Sequence, residues 1–251
     1  MCLVVCAWQQ HPRYRLIIAA NRDEQHARPA AAMQWWADQP EVLAGRDLQA
    51  GGTWLAVSRS GRFATVTNYR EHQHDRPARQ SRGKLVSAFV AGNDAPLAYS
   101  TALNGGDFAG FSLLTASPSS LCYTTNRADP PRELEAGVYG LSNATLDTPW
   151  PKLLRCRGGL QDLIERDAIN PTALLTLLAD TTPAAVRDFD DELPIELARA
   201  VSAPFIRTER YGTRCTSIVL VENSGDTLIV ERRFAASGRV SGEDQFKFRA
   251  S

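Results

Sequence analysis

The chain has 251 residues, 43% hydrophobic and 22% charged, which is enough for one globular domain over residues 1–251 that buries its own core without disulfides or metals. Lys plus Arg and Asp plus Glu each total 28, so no field of one sign draws in nucleic acid or an anionic membrane. No stretch approaches the roughly 20 apolar residues of a membrane-spanning helix, and five scattered cysteines without a CxxC spacing fit a reducing, cytoplasmic setting.

The opening Met1-Cys2-Leu3-Val4-Val5 lacks the basic region of a secretory signal. Leu3 to Trp8 and Arg13 to Ala20 are β-rich runs split by Gln9-Gln10-His11-Pro12, the pattern of an antiparallel hairpin. Residues 25–50 form a long excursion carrying Trp35 and Trp36, and a second hairpin follows over Thr53 to Ser58 and Arg62 to Asn68. The polar stretch from Tyr69 to Gly83 reads as an exposed loop of functional length.

Lys84 to Ala91 and Pro96 to Leu103 carry apolar residues at helical spacing, with Gly92-Asn93-Asp94 as the break and N-cap between them. Phe111 to Ala116, Leu121 to Asn126 and Val138 to Leu141 read as strands, then Lys152 to Arg166 and Pro171 to Ala179 as helices. Thr216 to Val221 and Thr227 to Phe234 form a closing hairpin, with Gln245 to Arg249 as an edge strand. This order of strand and helix blocks predicts an α+β fold, and a four-layer αββα sandwich of antiparallel sheets accommodates it.

The first hairpin carries the chemistry. A loop centred near His11 makes partner numbers sum to about 22, so Cys2 faces Ala20 or its neighbour, and Asn21-Arg22-Asp23-Glu24 gathers around the chain's start, opposed residues lying about 5 Å apart. With Met1 removed, Cys2 carries a thiol and an α-amine of pKa about 7.7–8.0, a nucleophile with its own base. Arg22 then favours thiolate and Asp23 orients the ammonium. The plain alternatives are a small buried cysteine and a strand-end turn fixed by an ion pair.

Further motifs are Gly45-Arg46-Asp47, Gly51-Gly52-Thr53-Trp54-Leu55, Thr67-Asn68-Tyr69-Arg70, Ser81-Arg82-Gly83, Gly140-Leu141-Ser142-Asn143, Thr148-Pro149-Trp150-Pro151-Lys152 and Tyr211-Gly212-Thr213-Arg214-Cys215-Thr216. Together with Met1-Cys2 and Ala20-Asn21-Arg22-Asp23-Glu24 they make nearly the whole chain resemble the NRDE family, also called the transport-and-Golgi-organisation protein 2 family. The resemblance implies an N-terminal-nucleophile (Ntn) hydrolase-like fold similar to penicillin V acylases and bile-salt hydrolases. It places Cys2 as nucleophile, Asp23 as amine-binding aspartate, Asn143 as oxyanion-hole asparagine and Arg214 as a late active-site arginine. Ala20 stands where those acylases carry an arginine, so Arg22 acts from another direction.

The expected substrate is a small molecule with an acyl or carboxylate group, contacted by Asn21, Arg22, Glu24, Trp54, Asn68 and Arg70, and the expected reaction is cleavage of a non-peptide amide. No cofactor is required. The resemblance also implies an alternative, a non-catalytic carrier of haem or of acyl-CoA and lipid, for which Trp35, Trp36 and Trp54 would line a surface and arginines would meet propionates. His72, His74 and Asp75 suggest a metal site, but the HxH pair lacks a third ligand at a known spacing, and the segment reads as a solvated loop. Gly51-Gly52 reads as a tight turn into a strand, and Arg70 and Arg82 flank the exposed loop as carboxylate or phosphate candidates.

Overall fold

A computed structural model describes residues 2–70, 78–185 and 193–250. Its first sheet is built on β1 (Cys2–Trp8) and β2 (Tyr14–Gln25), flanked by β10 (Gly137–Leu141) on one side and by β11 (Tyr211–Glu222), β12 (Asp226–Phe234) and β13 (Val240–Arg249) on the other. The second sheet runs in chain order through β3 (Ala30–Trp35), β4 (Val42–Asp47), β5 (Leu55–Ser58), β6 (Phe63–Asn68), β7 (Phe111–Ala116), β8 (Leu121–Thr125) and β9 (Arg132–Glu133). Every strand pair is antiparallel.

The alternation of side chains along each strand divides the core into three layers. Val4, Cys6, Ile18 and Val219 of the first sheet meet Leu55, Phe63 and Leu114 of the second. On the outer face of the first sheet, Leu3, Val5, Ile17 and Ile218 pack on α3 (Pro151–Glu165) and α4 (Pro171–Leu178). On the outer face of the second, Ala56, Ala64 and Leu113 pack on α1 (Gly83–Ala91), and α2 (Pro96–Ala102) lies against β8 and β9. The result is the four-layer αββα sandwich expected from the order of elements.

Several boundaries differ from the sequence reading. The first hairpin pairs Cys2 with Arg22 and Trp8 with Leu16, so partner numbers sum to 24 where about 22 was expected. The turn centres on residue 12, and Gln9, at φ 52°, carries the pairing one residue further, its backbone N–H donating to Arg15 O at 2.8 Å. The shift is even, so every side chain keeps its face. The Asn21–Glu24 tetrad lies within β2 and is not a turn, because β11 pairs along the strand as far as Gln25.

The excursion over 25–50 contains β3 and β4, and α5 (Ile195–Val201) was not anticipated. The N-cap of α2 is Ala95, with Pro96 in the first turn, because the Asp94 carbonyl is taken by Arg62 at 2.7 Å. The last strand begins at Val240, ahead of the expected Gln245. No helix among the described residues is long and apolar enough to cross a membrane.

Asn21 sews the outer layer to the first sheet. Its Nδ2 donates to Leu178 O and Pro204 O, both at 3.0 Å, and its Oδ1 accepts from Thr216 Oγ1 at 2.6 Å, with the residue 1% exposed. Asn21→Ala strands two buried carbonyls and a hydroxyl and is expected to cost about 3 kcal/mol in urea unfolding; a loss below about 1 kcal/mol would mean that these bonds carry little of the packing.

Candidate active site

At one end of the sandwich a cleft of about 600 Å³, open mouth included, lies between the two sheets. Cys2, Arg22, Asp23 and Glu24 line one wall, while Thr53, Trp54, Val66, Asn68 and Gly83 are among those lining the other. The register sets Cys2 directly opposite Arg22. Paired residues project to the same face of a sheet, and for this pair that is the face holding Val4, Cys6 and Ala20, turned toward the second sheet.

Arg22 is 6% exposed, and its guanidinium stacks on the Trp54 ring at 4.2 Å from the centroid. It makes no hydrogen bond or ion pair with any described residue. The Trp54 ring owes its place to Gly45, where a Cβ would sit 2.5 Å from the ring's Cη2. Gly52 meets Gly83 in the same way, backbone against backbone: a Cβ on Gly52 would lie 2.5 Å from the Gly83 carbonyl carbon.

Asp47 shapes the turn that delivers Trp54. Its Oδ1 accepts from the N–H groups of Gln49 and Ala50, and Gly51 closes the turn at φ 77°. Its Oδ2 receives Arg28 at 2.8–2.9 Å. Burial acts to raise the Asp47 carboxyl, but Arg28 and the turn amides outweigh it and hold it below the usual range. Glu24 turns toward the same arginine, 3.9 Å away, and accepts from Gln25 N at 2.8 Å.

Asp23 projects to the opposite face of β2, where Thr213, its strand partner, donates to Oδ1 at 2.6 Å. Burial raises the Asp23 carboxyl, against the pull of the Lys152 and Arg22 cations and the Thr213 hydroxyl. Burial likewise pushes the Cys2 thiol up, Asp23 adds to the rise, and Arg22 opposes it.

Two of the expected catalytic side chains are turned elsewhere. Arg214 is the extra residue of a β-bulge that leaves Thr213 opposite Asp23 and Cys215 opposite Arg22. Extruded there, its Nη1 donates to the carbonyls of Gln25, His26 and Arg28 at 2.8–3.1 Å and holds the β2–β3 connection. Asn143 gives one N–H of its amide to Asn68 O at 2.9 Å and sits next to Ser142, whose hydroxyl donates to Cys2 O at 2.9 Å. Neither residue lines the cleft.

Of the expected substrate contacts, Arg22, Glu24, Trp54 and Asn68 line the cleft, whereas Asn21 is committed to the outer layer as described. Arg70 lies with its guanidinium 5.8 Å from the Trp150 ring centroid, and its backbone N–H donates to Asn143 O. Trp35, Trp36 and Trp54 do not form one aromatic surface. Trp36 belongs to the α1 layer, Trp35 packs on Phe248 in the layer between the sheets, and Trp54 lies under Arg22. His72, His74 and Asp75 lie outside the described residues.

Lys152, quoted within a motif but given no role, is the residue that sequence reasoning passed over. It is 5% exposed in the first turn of α3, and its Nζ donates to Val201 O at 3.0 Å. Burial pulls its ammonium below the ordinary lysine value, and the charges of Asp23 and Cys2 pull it back. A lysine directly after Pro151 at a helix start was the available signal, since a cation is electrostatically misplaced at a helix N-terminus unless an anion faces it.

Two facing antiparallel sheets between helical layers, with a cysteine at the opening of an inner strand, make up the Ntn-hydrolase fold. The conjugated bile acid hydrolase of Clostridium perfringens, as a mutant, superposes with a TM-score of 0.55 at 9% identity, over 100% of this chain and 98% of that one. The Caenorhabditis elegans ortholog of N-acylethanolamine-hydrolyzing acid amidase gives a TM-score of 0.53 at 10% identity, over 87% and 92%. At these identities the likeness is one of fold.

Residues 1–236 match the family described as Transport and Golgi organisation 2, and the chain belongs to that family. The Transport and Golgi organization protein 2 homolog of Homo sapiens is 35% identical to it over 92% of both chains. The Drosophila melanogaster protein Transport and Golgi organization protein 2 is 26% identical over 92% of this chain and 91% of its own length.

Because burial keeps the Cys2 thiol protonated through neutral pH, its alkylation by iodoacetamide, followed by peptide mass spectrometry, is expected to keep accelerating above the ordinary thiol value of 9.0. Arg22→Met moves the rise to still higher pH. A rate that levels off near neutrality would contradict this electrostatic description.

Proposed function

We propose that the chain is an N-terminal-cysteine hydrolase of non-peptide amides. The observation that carries the reading is the placement of Cys2 on the wall of the cleft, in register with Arg22 and next in space to the buried Asp23. Removal of Met1 gives Cys2 its α-amine. The amine takes the thiol proton as Sγ bonds to the acyl carbon, and it returns that proton to the departing nitrogen as the C–N bond breaks. Water then cleaves the thioester, releasing the acid and restoring the thiol.

Asp23, held by Thr213, orients the ammonium form of the amine, and the Lys152 cation acts against the burial that raises the Asp23 carboxyl. The Asn143 amide, which gives one N–H to Asn68 O and does not line the cleft in this structure, becomes an oxyanion donor once its side chain turns toward Cys2. Fold likeness to the bile acid hydrolase and the acid amidase supports the reaction class. The five free cysteines support a reducing, cytoplasmic location.

A second reading keeps the fold without turnover, as a carrier of an acyl-CoA-like amphiphile or haem. The commitment of Arg214 and Asn143 to backbone carbonyls favours it. So does a mostly apolar cleft of about 1260 Å³, mouth included, bounded by Gln25, His26, Leu197, Val201 and Tyr211.

Release of amine from a panel of N-acyl amides separates the two. The hydrolase releases amine in a burst, shows an acyl adduct on Cys2 by intact mass, and loses both in Cys2→Ala. Asn143→Ala is expected to lower kcat about 100-fold, the usual effect of losing one oxyanion donor. Stoichiometric binding of haem or an acyl-CoA with no adduct from any amide would favour the carrier.

A further inference from the structure

Resting on the hydrolase reading of the same cleft, we propose that the substrate carries an anionic group, a carboxylate or a phosphate, a few bonds from the scissile amide, and that Arg22 is its seat. A guanidinium taken out of water is ordinarily matched by a carboxylate or saturated by carbonyls. The other cleft arginines follow that rule. Arg28 is matched by Asp47, and Arg82 Nη1 donates to Gly110 O at 2.9 Å. Arg22, only 6% exposed and opening on the cleft, has among the described residues no partner but the Trp54 ring.

The nearby carboxylates are engaged elsewhere. Asp23 points to the other side of β2 toward Thr213, and Asp47 and Glu24 turn to Arg28. The Trp54 ring lies against one side of the guanidinium, leaving its unbonded N–H groups as the place where a planar, bidentate acceptor fits. Since Cys2 is the strand partner of Arg22, an anion held there lies beside the sulfur. The spacing selects acyl derivatives of small amino acids or of aminoalkyl phosphates over uncharged fatty amides.

The test uses the Cys2→Ala chain, which cannot turn substrate over, and isothermal titration calorimetry. N-octanoylglycine is expected to bind at least about tenfold tighter than its methyl ester, the return from one charge-assisted contact. N-octanoyl-O-phosphoethanolamine tells whether phosphate replaces carboxylate. Adding Arg22→Met brings acid and ester to within about twofold, while Arg22→Lys keeps part of the preference because the charge remains and the planar fork does not; thermal melts by circular dichroism check folding.

Equal binding of acid and ester, binding of neither, or a preference that survives Arg22→Met would overturn the proposal. Turnover by the wild-type chain is scored apart. Acid-selective binding without amine release leaves the anion seat standing and removes the hydrolase, and equal kcat/KM for acid and ester does the reverse.

Discussion

A guanidinium held over an indole between two β-sheets, in register with a thiol and hydrogen-bonded to no described carboxylate, is the contact around which this cleft is arranged. Gly45 leaves the slot for the Trp54 ring, the Asp47 turn delivers that ring, and Arg28 engages the carboxylates of Asp47 and Glu24. The cation–π contact returns about 0.5–2 kcal/mol, and an anion seated on the remaining N–H groups would add charge-assisted hydrogen bonds to it.

The same ribbon separates two chemistries by parity. Arg22 and Cys2 turn to the cleft between the sheets, while Asn21 and Asp23 turn to the helices, where one fastens α4 and the other meets Thr213 and the field of Lys152. The bulge at Arg214 preserves this division on the third strand, since it lets Thr213 and Cys215 both stay in register with β2. The bulge thus has a mechanical role, to keep Asp23 bonded and to fasten the β2–β3 connection through the Arg214 side chain.

How much of this was legible in the residues depends on range. Periodicity gave most of the strands and helices of the sandwich but not β3, β4, β9 or α5, and the hairpin brought residues 21–24 to the chain's start. The register missed by two: the turn centres on residue 12, with Gln9 in a left-handed conformation that nothing in Gln9-Gln10-His11-Pro12 announces. Asn143 and Arg214 were placed by resemblance, which transfers a position but not the direction of a side chain, and that direction depends on a bulge and on the Asn68 carbonyl. The burial of Lys152 depends on α5, whose Val201 carbonyl accepts its ammonium and whose short, partly exposed helix has weak periodicity.

The account stands on Arg22 presenting its free edge to whatever is joined to the sulfur of Cys2. A crystal structure of the chain carboxymethylated at Cys2 with iodoacetate tests this directly. The account requires the new carboxylate to lie in bidentate contact with the Arg22 guanidinium, still stacked on Trp54. A carboxymethyl group turned to solvent, with Arg22 paired to a protein carboxylate, would contradict it.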